Sequence, residues 1–338
     1  MALKVTARAH PNLAFVKYWG NADDALNIPA NSSISVNLDG ATTTTSVVFL
    51  ADLERDQLTV DGRVATPAAY GRVVRHLDRV RRLAGVTRRA IVESGNDFPA
   101  SAGIASSASA FAALSLAASR AAGLDLDERQ LSVLARKGSG SACRSIPGGF
   151  VEWAAGSDDE TSYACQIAPP EHWDLRITTV IIDEGPKDVS SSEGHRAAGT
   201  SPFYRARLDA LPQTLATVRQ ALLDKDLGTF GLAVEREAVS MHAVTMTSWL
   251  ADRPWLSGVY YWQPGTLALI LAVQEWRRQG LEVYFTIDAG QNVHLLCEGE
   301  RQAKLEAALD RALVDVGGRT LVSAPGRGAW VMAEQETS

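Results

Sequence analysis

Cysteine is scarce in this sequence. Only Cys143, Cys165 and Cys297 occur, and no two of them have the Cys-x-x-Cys spacing of a zinc or redox site. Because a disulfide framework is built from paired cysteines, an odd and scattered set also argues against that class of protein. We therefore expect free thiols and neither a disulfide framework nor a structural zinc site.

Long apolar runs and an excess of positive charge are also missing. No stretch reaches the roughly 18 apolar residues that suggest a membrane-spanning helix, and the first residues lack the apolar core of a signal peptide. The chain has 33 Lys and Arg against 39 Asp and Glu, a net charge of −6. Such a chain has no basic excess to attract a nucleic-acid backbone, although a local pocket can still bind a small anion. We expect a cytoplasmic protein that binds neither membranes nor nucleic acid.

The chain does have enough apolar sequence for two hydrophobic cores. It contains 338 residues, 46% of them hydrophobic, and one core rarely extends over so long a chain. β-rich segments alternate with segments of helical periodicity, which predicts an α+β protein. The strongest strand pattern, at residues 175–182, is followed by a polar connector at 185–194. We therefore predict a domain of residues 1–184 and a second domain of residues 185–338.

A loop of small residues at positions 97–109 organises the chain and opens into an apolar helix pattern. Gly103 lets the backbone approach an anion closely, and the hydroxyls of Ser106 and Ser107 lie where a helix presents unpaired N–H groups. No acidic residue between Pro99 and Arg120 would repel a phosphate. The loop predicts a phosphate cradle, with a Ser/Ala-rich turn before a core helix as the alternative.

Three further features place polar groups in apolar or glycine-rich surroundings. Lys17 interrupts an apolar run, and it is either a core-edge lysine whose ammonium group reaches solvent or a buried catalytic group. Asp288 lies in a glycine-containing turn, where it either shapes the bend or takes part in chemistry. Residues 135–145 combine glycines, hydroxyls and bases, and by themselves they predict a flexible loop. The residues alone leave these alternatives open.

Together these segments resemble the GHMP small-molecule kinase superfamily, and within it the mevalonate diphosphate decarboxylases. The superfamily's ATP-phosphate motif is matched by Pro99-x-x-x-Gly103-Ile104-x-Ser106-Ser107-Ala108. The decarboxylase motifs are matched, in family order, by Asn12-x-Ala14-x-x-Lys17-Tyr18-Trp19-Gly20, Asn31-Ser32-Ser33-x-Ser35, Gly138-Ser139-Gly140-Ser141-Ala142-Cys143-Arg144-Ser145, Gly148-Gly149-Phe150-Val151-Glu152-Trp153, Thr200-Ser201-Pro202-Phe203-Tyr204, Met241-His242 and Phe285-Thr286-x-Asp288-Ala289-Gly290.

The resemblance implies a fold and an activity. The fold is a two-domain α/β sandwich, with a ribosomal S5-like N-terminal domain, a ferredoxin-like C-terminal domain and an active site in the cleft between them. The activity is ATP- and Mg²⁺-dependent decarboxylation of a phosphorylated mevalonate in isoprenoid precursor synthesis. In such enzymes ATP phosphorylates the tertiary 3-hydroxyl, and phosphate and carbon dioxide then leave. The resemblance also implies a homodimer.

The resemblance assigns roles to individual residues as well. Asp288 would contact the 3-hydroxyl as base or orienting group, and Lys17 would pair with it and stabilise the charge of the transferred phosphoryl group. Arg144 would clamp the substrate carboxylate, with a hydrogen bond added by Asn12. The ATP phosphates would be held at Pro99, Ser101, Gly103, Ala105, Ser106, Ser107 and Ala108, with Ser107 reaching Mg²⁺ through the nucleotide. Further substrate contacts would come from Tyr18, Arg72, Ser139, Gly140, Ser141, Ser191 and Ser192.

Two departures from the family pattern concern one part of the substrate. Family members continue Lys-Tyr-Trp-Gly with a lysine, where this chain has Asn21. Their Ser-Ser-Arg-x-Gly-Met becomes residues 190–195 here, which puts Ser192 in the arginine's place with Glu193 beside it. The family directs both missing cations at the diphosphate, and each charged hydrogen bond is worth roughly 1.5–3 kcal/mol. We therefore expect mevalonate 5-phosphate as substrate and isopentenyl phosphate as product.

Three other hypotheses stay open. The first is diphosphomevalonate decarboxylation, with Arg72, Arg196 or Lys187 replacing the lost charges. The second is a mevalonate 3-kinase that releases no carbon dioxide, against which the retained Lys17 and Asp288 argue, as does the retained Arg144. The third is a GHMP-fold binding or regulatory protein, against which the retained base and phosphate loop argue.

Overall fold

The described residues form sixteen strands and eight α-helices, with strands up to residue 64 and helices from residue 191 to 278. The computed structural model describes residues 2–98, 106–182, 185 and 187–337. The strands are β1 (Ala2–Ala9), β2 (Asn12–Val16), β3 (Asn21–Asp23), β4 (Ile28–Pro29), β5 (Ser33–Asn37), β6 (Thr43–Leu50), β7 (Gln57–Val60), β8 (Arg63–Val64), β9 (Arg89–Asn96), β10 (Phe150–Trp153), β11 (Ala164–Ala168), β12 (Leu175–Ile181), β13 (Tyr284–Thr286), β14 (Val293–Glu298), β15 (Arg319–Ser323) and β16 (Trp330–Thr337). The helices are α1 (Pro67–Ala84), α2 (Ser106–Ala121), α3 (Glu128–Gly138), α4 (Ser191–Ala197), α5 (Tyr204–Asp224), α6 (Leu227–Thr247), α7 (Pro264–Arg278) and α8 (Gln302–Val316). No helix in the described ranges is long and apolar enough to cross a membrane.

A six-stranded sheet, in the order β16-β1-β6-β9-β7-β8, forms the outer layer of the first lobe. Its inward side chains alternate with partly exposed ones along β1, as the sequence pattern predicts. Helix α2 packs on β1 and β6, and its alanines and serines allow this close approach. Helix α1 begins after an N-cap at Thr66 and ends at Gly85, whose positive φ of 66° stops the helix. This layer fixes the position at which α2 begins.

A second sheet, in the order β11-β10-β5-β2, lies at the centre of the protein. Every residue of β2 and β5 is buried, because the helices α5 and α6 cover this sheet. Phe15 of β2 meets Phe230 of α6 edge to face, with ring centroids 4.8 Å apart. The two lobes therefore share a continuous core, and the end of β2 lies beside the second lobe.

The second lobe is built on a four-stranded antiparallel sheet in the order β13-β14-β12-β15. Chain order and sheet order together give the ferredoxin-like arrangement that the resemblance implied. Side chains of β12 and β14 pack alternately on α5 and α6 from one face and on α7 and α8 from the other. The turn between β13 and β14 carries Asp288 to the edge that faces the first lobe.

The division of the sheets does not coincide with the predicted domain boundary. Strand β12 precedes residue 184, yet it pairs with β14 and β15 of the second lobe. Strand β16 lies near the end of the chain, yet it pairs with β1 of the first lobe. The two-domain division stays a prediction, and strand pairing favours a boundary before β12 with a return of the chain at β16.

Candidate active site

A cavity of about 950 Å³ lies between the two lobes. Its lining comes from segments 14–27, 106–107, 138–144, 187–196 and 288–292, together with Arg72, Gly185 and Met241. Twelve of the predicted site residues line it, namely Lys17, Tyr18, Arg72, Ser106, Ser107, Ser139, Gly140, Ser141, Arg144, Ser191, Ser192 and Asp288. Pro99, Ser101, Gly103 and Ala105 lie outside the described residues. Residues far apart in sequence therefore meet at one cavity.

Lys17 and Asp288 form an ion pair in the wall of this cavity. The Lys17 Nζ atom lies 2.7 Å from Asp288 Oδ1 and 2.6 Å from the carbonyl oxygen of Ala14. The lysine side chain is 2% exposed, whereas that of Asp288 is 26% exposed and open to the cavity. Lys17 is therefore not a core-edge lysine that extends to bulk solvent, and Asp288 does more than shape a turn.

The electrostatic surroundings keep Asp288 ionised. Burial by itself would raise the pKa of this carboxyl group, but Lys17, followed by His294 and Arg144, outweighs burial and holds the pKa below its usual range. The two buried histidines beside the turn are neutral at physiological pH, because burial lowers the pKa of His242 to about 3 and that of His294 to about 4. His294 therefore acts on Asp288 as a cation only at acidic pH, where Asp288 itself titrates. The site thus presents a carboxylate and an ammonium group side by side.

Arg144 is held rigidly in the wall of the cavity. Its Nε atom donates to Asn12 Oδ1 at 3.0 Å, and its Nη1 atom donates to Ser33 Oγ at 2.8 Å. Among the described residues it forms no ion pair, so its charge is available to an anionic ligand. Asn12 is itself buried and does not line the cavity, and its amide nitrogen donates to Ser141 O and Ser145 Oγ. Both ends of the Asn12 amide thus hold Arg144 and its loop, and the direct contact of Asn12 with substrate stays a prediction.

The start of α2 supplies the groups that a phosphate needs. Helix α2 begins at Ser106 with no acidic residue in its first turn, and the Ser107 and Ser139 hydroxyl oxygens lie 3.3 Å apart. A Cβ atom at Gly140 would come within 2.9 Å of the Tyr18 ring, so glycine lets the backbone of this loop lie against that ring. The Ala108 side chain, by contrast, is buried in the core and does not line the cavity. The hydroxyls and the helix N-terminus together fit the phosphates of ATP.

A metal ion would enter this site with the nucleotide. The described residues contain no group of three or more His, Cys, Asp or Glu able to hold a metal ion. A site that supplies hydroxyls and leaves most positions to phosphate oxygens and water suits Mg²⁺. Ser107 is the described hydroxyl at the start of α2 for which this contact was predicted.

Known proteins match the chain over nearly its whole length. Residues 9–164 match the diphosphomevalonate decarboxylase-like N-terminal domain, and residues 177–324 match the mevalonate 5-diphosphate decarboxylase C-terminal domain. The chain belongs to the mevalonate diphosphate decarboxylase family. The GHMP kinase fold that the motifs implied is thereby confirmed.

Individual relatives of the family show how close the match is. The phosphomevalonate decarboxylase of Haloferax volcanii is 33% identical over 335 residues, which are 99% of this chain and 99% of the relative. The solved mevalonate diphosphate decarboxylase from Staphylococcus aureus is 37% identical, with a TM-score of 0.92 over 98% of this chain and 99% of that one. A solved complex of MDDEF with MVAPP, AMPPCP and magnesium is 38% identical, with a TM-score of 0.91 and the same coverage.

The two departures from the family pattern lie on one side of the cavity. Asn21 accepts a hydrogen bond from the Tyr18 hydroxyl and donates to Asp24 Oδ1 at 2.6 Å. Ser192 lies on the cavity wall, but Glu193 caps the start of α4 and pairs with Arg253, with 2.6 Å between Oε1 and Nη2. The negative charge of Glu193 is therefore compensated by Arg253, which does not line the cavity.

His195 lines the same side of the cavity, although its position in the sequence predicted no role for it. Its ring lies between those of Tyr18 and Trp19, with centroids 4.2 and 4.5 Å away, and its Nδ1 atom accepts from the backbone N–H of Gly20 at 3.0 Å. Burial lowers the pKa of His195 to about 3, so the ring is neutral and its proton is on Nε2. Its only sequence signal is that it stands where the family has methionine.

Proposed function

We propose that this member of the family is an ATP-dependent decarboxylase that converts mevalonate 5-phosphate to isopentenyl phosphate, with release of ADP, phosphate and carbon dioxide. The observation that carries the proposal is the Lys17–Asp288 pair, which faces a cavity that also contains Arg144 and the serines at the start of α2. Use of ATP and Mg²⁺ is supported by the relative solved with AMPPCP and magnesium.

The residues act on two groups of the substrate, its 3-hydroxyl and its carboxylate. Asp288, ionised at neutral pH, orients the 3-hydroxyl and accepts its proton, while Lys17 stabilises negative charge beside it. Arg144 holds the carboxylate in a fixed geometry because Asn12 and Ser33 fix the guanidinium. When bound, ATP with Mg²⁺ supplies the phosphoryl group that makes the tertiary oxygen a leaving group.

Carbon dioxide is lost once that oxygen leaves as phosphate. The bond between C3 and the phosphorylated oxygen breaks, and the electrons of the bond between C2 and the carboxyl carbon form the new double bond. The carboxylate must stay ionised for this step. A fixed arginine that holds this carboxylate favours its ionised form, and a lysine beside C3 compensates the departing anion.

The choice of the monophosphate rests on charge. The family pattern directs a lysine and an arginine at the diphosphate, whereas this chain has Asn21, Ser192 and a neutral His195 along that wall. Each missing charged hydrogen bond corresponds to roughly 1.5–3 kcal/mol. The Haloferax volcanii relative is a phosphomevalonate decarboxylase, in line with this choice.

One test separates the candidates. The kcat/KM for mevalonate 5-phosphate and for its diphosphate should be measured in the presence of ATP and Mg²⁺, with the products identified. A preference for the monophosphate is expected. A preference for the diphosphate would instead support diphosphomevalonate decarboxylation, for which Arg72, Lys187 and Arg196 offer cations on the cavity wall.

Two further outcomes would point to other functions. ADP release without release of labelled carbon dioxide would indicate a mevalonate 3-kinase. Absence of ADP release with every phosphorylated mevalonate would indicate a binding protein of this fold.

The cellular context follows the family. We propose a cytoplasmic homodimer that binds a small phosphorylated substrate. Sedimentation of the purified protein at the concentrations used for assay would report its oligomeric state, and fractionation of the source cells would report its location.

A further inference from the structure

The backbone of Lys17 is held by a charged pair from the second lobe. Strand β2 ends at Val16, so the peptide groups of Lys17 lie beyond the ladder of the central sheet. The backbone N–H of Lys17 donates to Glu237 Oε2 at 3.0 Å, and its carbonyl oxygen accepts from Arg207 Nη2 at 2.9 Å. The Asn31 amide adds a third bond to this carbonyl oxygen at 3.0 Å. Both the backbone N–H and the carbonyl oxygen of Lys17 thus form hydrogen bonds with side chains of helices α5 and α6.

Arg207 and Glu237 form this pair in a buried place. Each side chain is 2% exposed, and the two are joined by an ion pair between Arg207 Nη2 and Glu237 Oε1. Two other nitrogens of Arg207, Nε and Nη1, have no partner among the described residues. Replacing a buried ion pair by apolar residues of similar volume is often neutral or stabilising. Stability is therefore a poor explanation for placing two charges here.

The position of the pair offers another explanation. The side chain of Lys17 turns back to the Ala14 carbonyl oxygen and to Asp288, so the place of its Nζ atom depends on where its backbone lies. A displacement of about 1 Å in a reacting group can cost roughly 10²-fold in rate. The bonds from Arg207 and Glu237 fix that backbone from the lobe that also carries Asp288.

We propose that Arg207 and Glu237 are positioning residues that set the distance between Lys17 and Asp288. This inference rests on the proposed role of the Lys17–Asp288 pair in phosphoryl transfer. Neither residue lines the cavity, and each acts through the backbone of Lys17. The pair belongs to the second lobe and Lys17 to the first. The hydrogen bonds of the pair therefore also hold the two lobes together beside Lys17 and Asp288.

The test compares two changes of carboxylate to amide. Glu237→Gln keeps an oxygen that can accept the Lys17 N–H but removes the charge that holds Arg207. Asp56→Asn is the matched control, because Asp56 is equally buried, pairs with Arg81 and accepts the backbone N–H of Ala90 at 2.8 Å, away from the cavity. Melting temperature, kcat and both KM values are measured for each variant by ADP release.

For Glu237→Gln we expect kcat to fall at least tenfold, with both KM values within twofold of the wild type. For Asp56→Asn we expect kcat within twofold, whatever its melting temperature. The acidic limb of the kcat profile should also move to higher pH in Glu237→Gln alone, because a more distant Lys17 lowers the pKa of Asp288 less. A folded Glu237→Gln variant with wild-type kcat and pH profile would overturn the inference.

A second variant covers the case in which Glu237→Gln does not fold. The double change Arg207→Met with Glu237→Met removes both buried charges and is expected to fold. Its kcat should fall at least tenfold, and wild-type kcat in this variant would overturn the inference. If the wild type itself releases no ADP with any phosphorylated mevalonate, the proposed function has failed. If the wild type is active and a folded variant of either kind keeps its kcat, only the positioning role has failed.

Discussion

Replacing Asn21 by lysine and Ser192 by arginine would return two cations to one wall of the cavity. The new lysine would lie beside Asp24, whose Oδ1 atom now accepts a hydrogen bond from the Asn21 amide at 2.6 Å. This carboxylate would offset part of the new lysine's positive charge. The new arginine would keep its full charge, because Glu193 is already paired with Arg253. Taking the lower value of roughly 1.5 kcal/mol for each charged hydrogen bond gives about 3 kcal/mol in favour of the diphosphate. The ratio of kcat/KM for diphosphate to that for monophosphate should rise about 10²-fold.

The assay is a coupled measurement of ADP release with each substrate at equal ionic strength. The control is Ser157→Arg with Gln213→Lys, which adds two charges at exposed positions outside the cavity. It separates a local contact from general attraction of a more anionic substrate. An unchanged substrate ratio in a folded Asn21→Lys, Ser192→Arg variant would refute the assignment of this wall to the substrate's phosphate end, as would an equal rise in the control.

Three other predictions concern the reacting groups. Lys17→Met should lower kcat by about 10²–10³-fold with little change in the KM for ATP, because an electrostatic group is lost beside the transferred phosphoryl; unchanged single-turnover rates would contradict this. Arg144→Lys should lower kcat/KM for the substrate by about tenfold or more, with a melting temperature near that of the wild type. A lysine ammonium group cannot reproduce the planar guanidinium that Asn12 and Ser33 hold in place. Activity of the wild type should persist as the pH falls through the usual range of an aspartate and be lost only below it, because the pKa of Asp288 is lowered; an acidic limb near neutral pH would exclude Asp288 as the ionised base.

Local sequence determined much of the molecule. Helix α1 begins after the N-cap at Thr66 and ends before Gly85, and both are signals that the local sequence carries. Helices α5 and α6 are separated because Lys225 adopts a positive φ of 57° and Asp226 caps a new helix. A non-glycine residue in that conformation gives little signal in the sequence pattern.

The motifs identified the family and the residue types of the site, because phosphate binding and proton transfer need particular groups at short spacing along the chain. Which groups meet was decided by the tertiary structure. Lys17 and Asp288 are 271 residues apart, and their contact depends on the packing of β2 against α5 and α6. Packing also placed the Asn12 amide against Arg144 and the loop that carries Ser141 and Ser145.

The same holds for the charges around the site. Sequence order placed Glu193 beside Ser192, but the capping of α4 and the contact with Arg253 turn its carboxylate away. Sequence spacing gave no reason to connect Arg207 and Glu237 with Lys17, because the three meet only where two lobes share a core. Local sequence thus determined the elements and the chemistry available, whereas long-range packing decided which side chains face the cavity and which hold them in place.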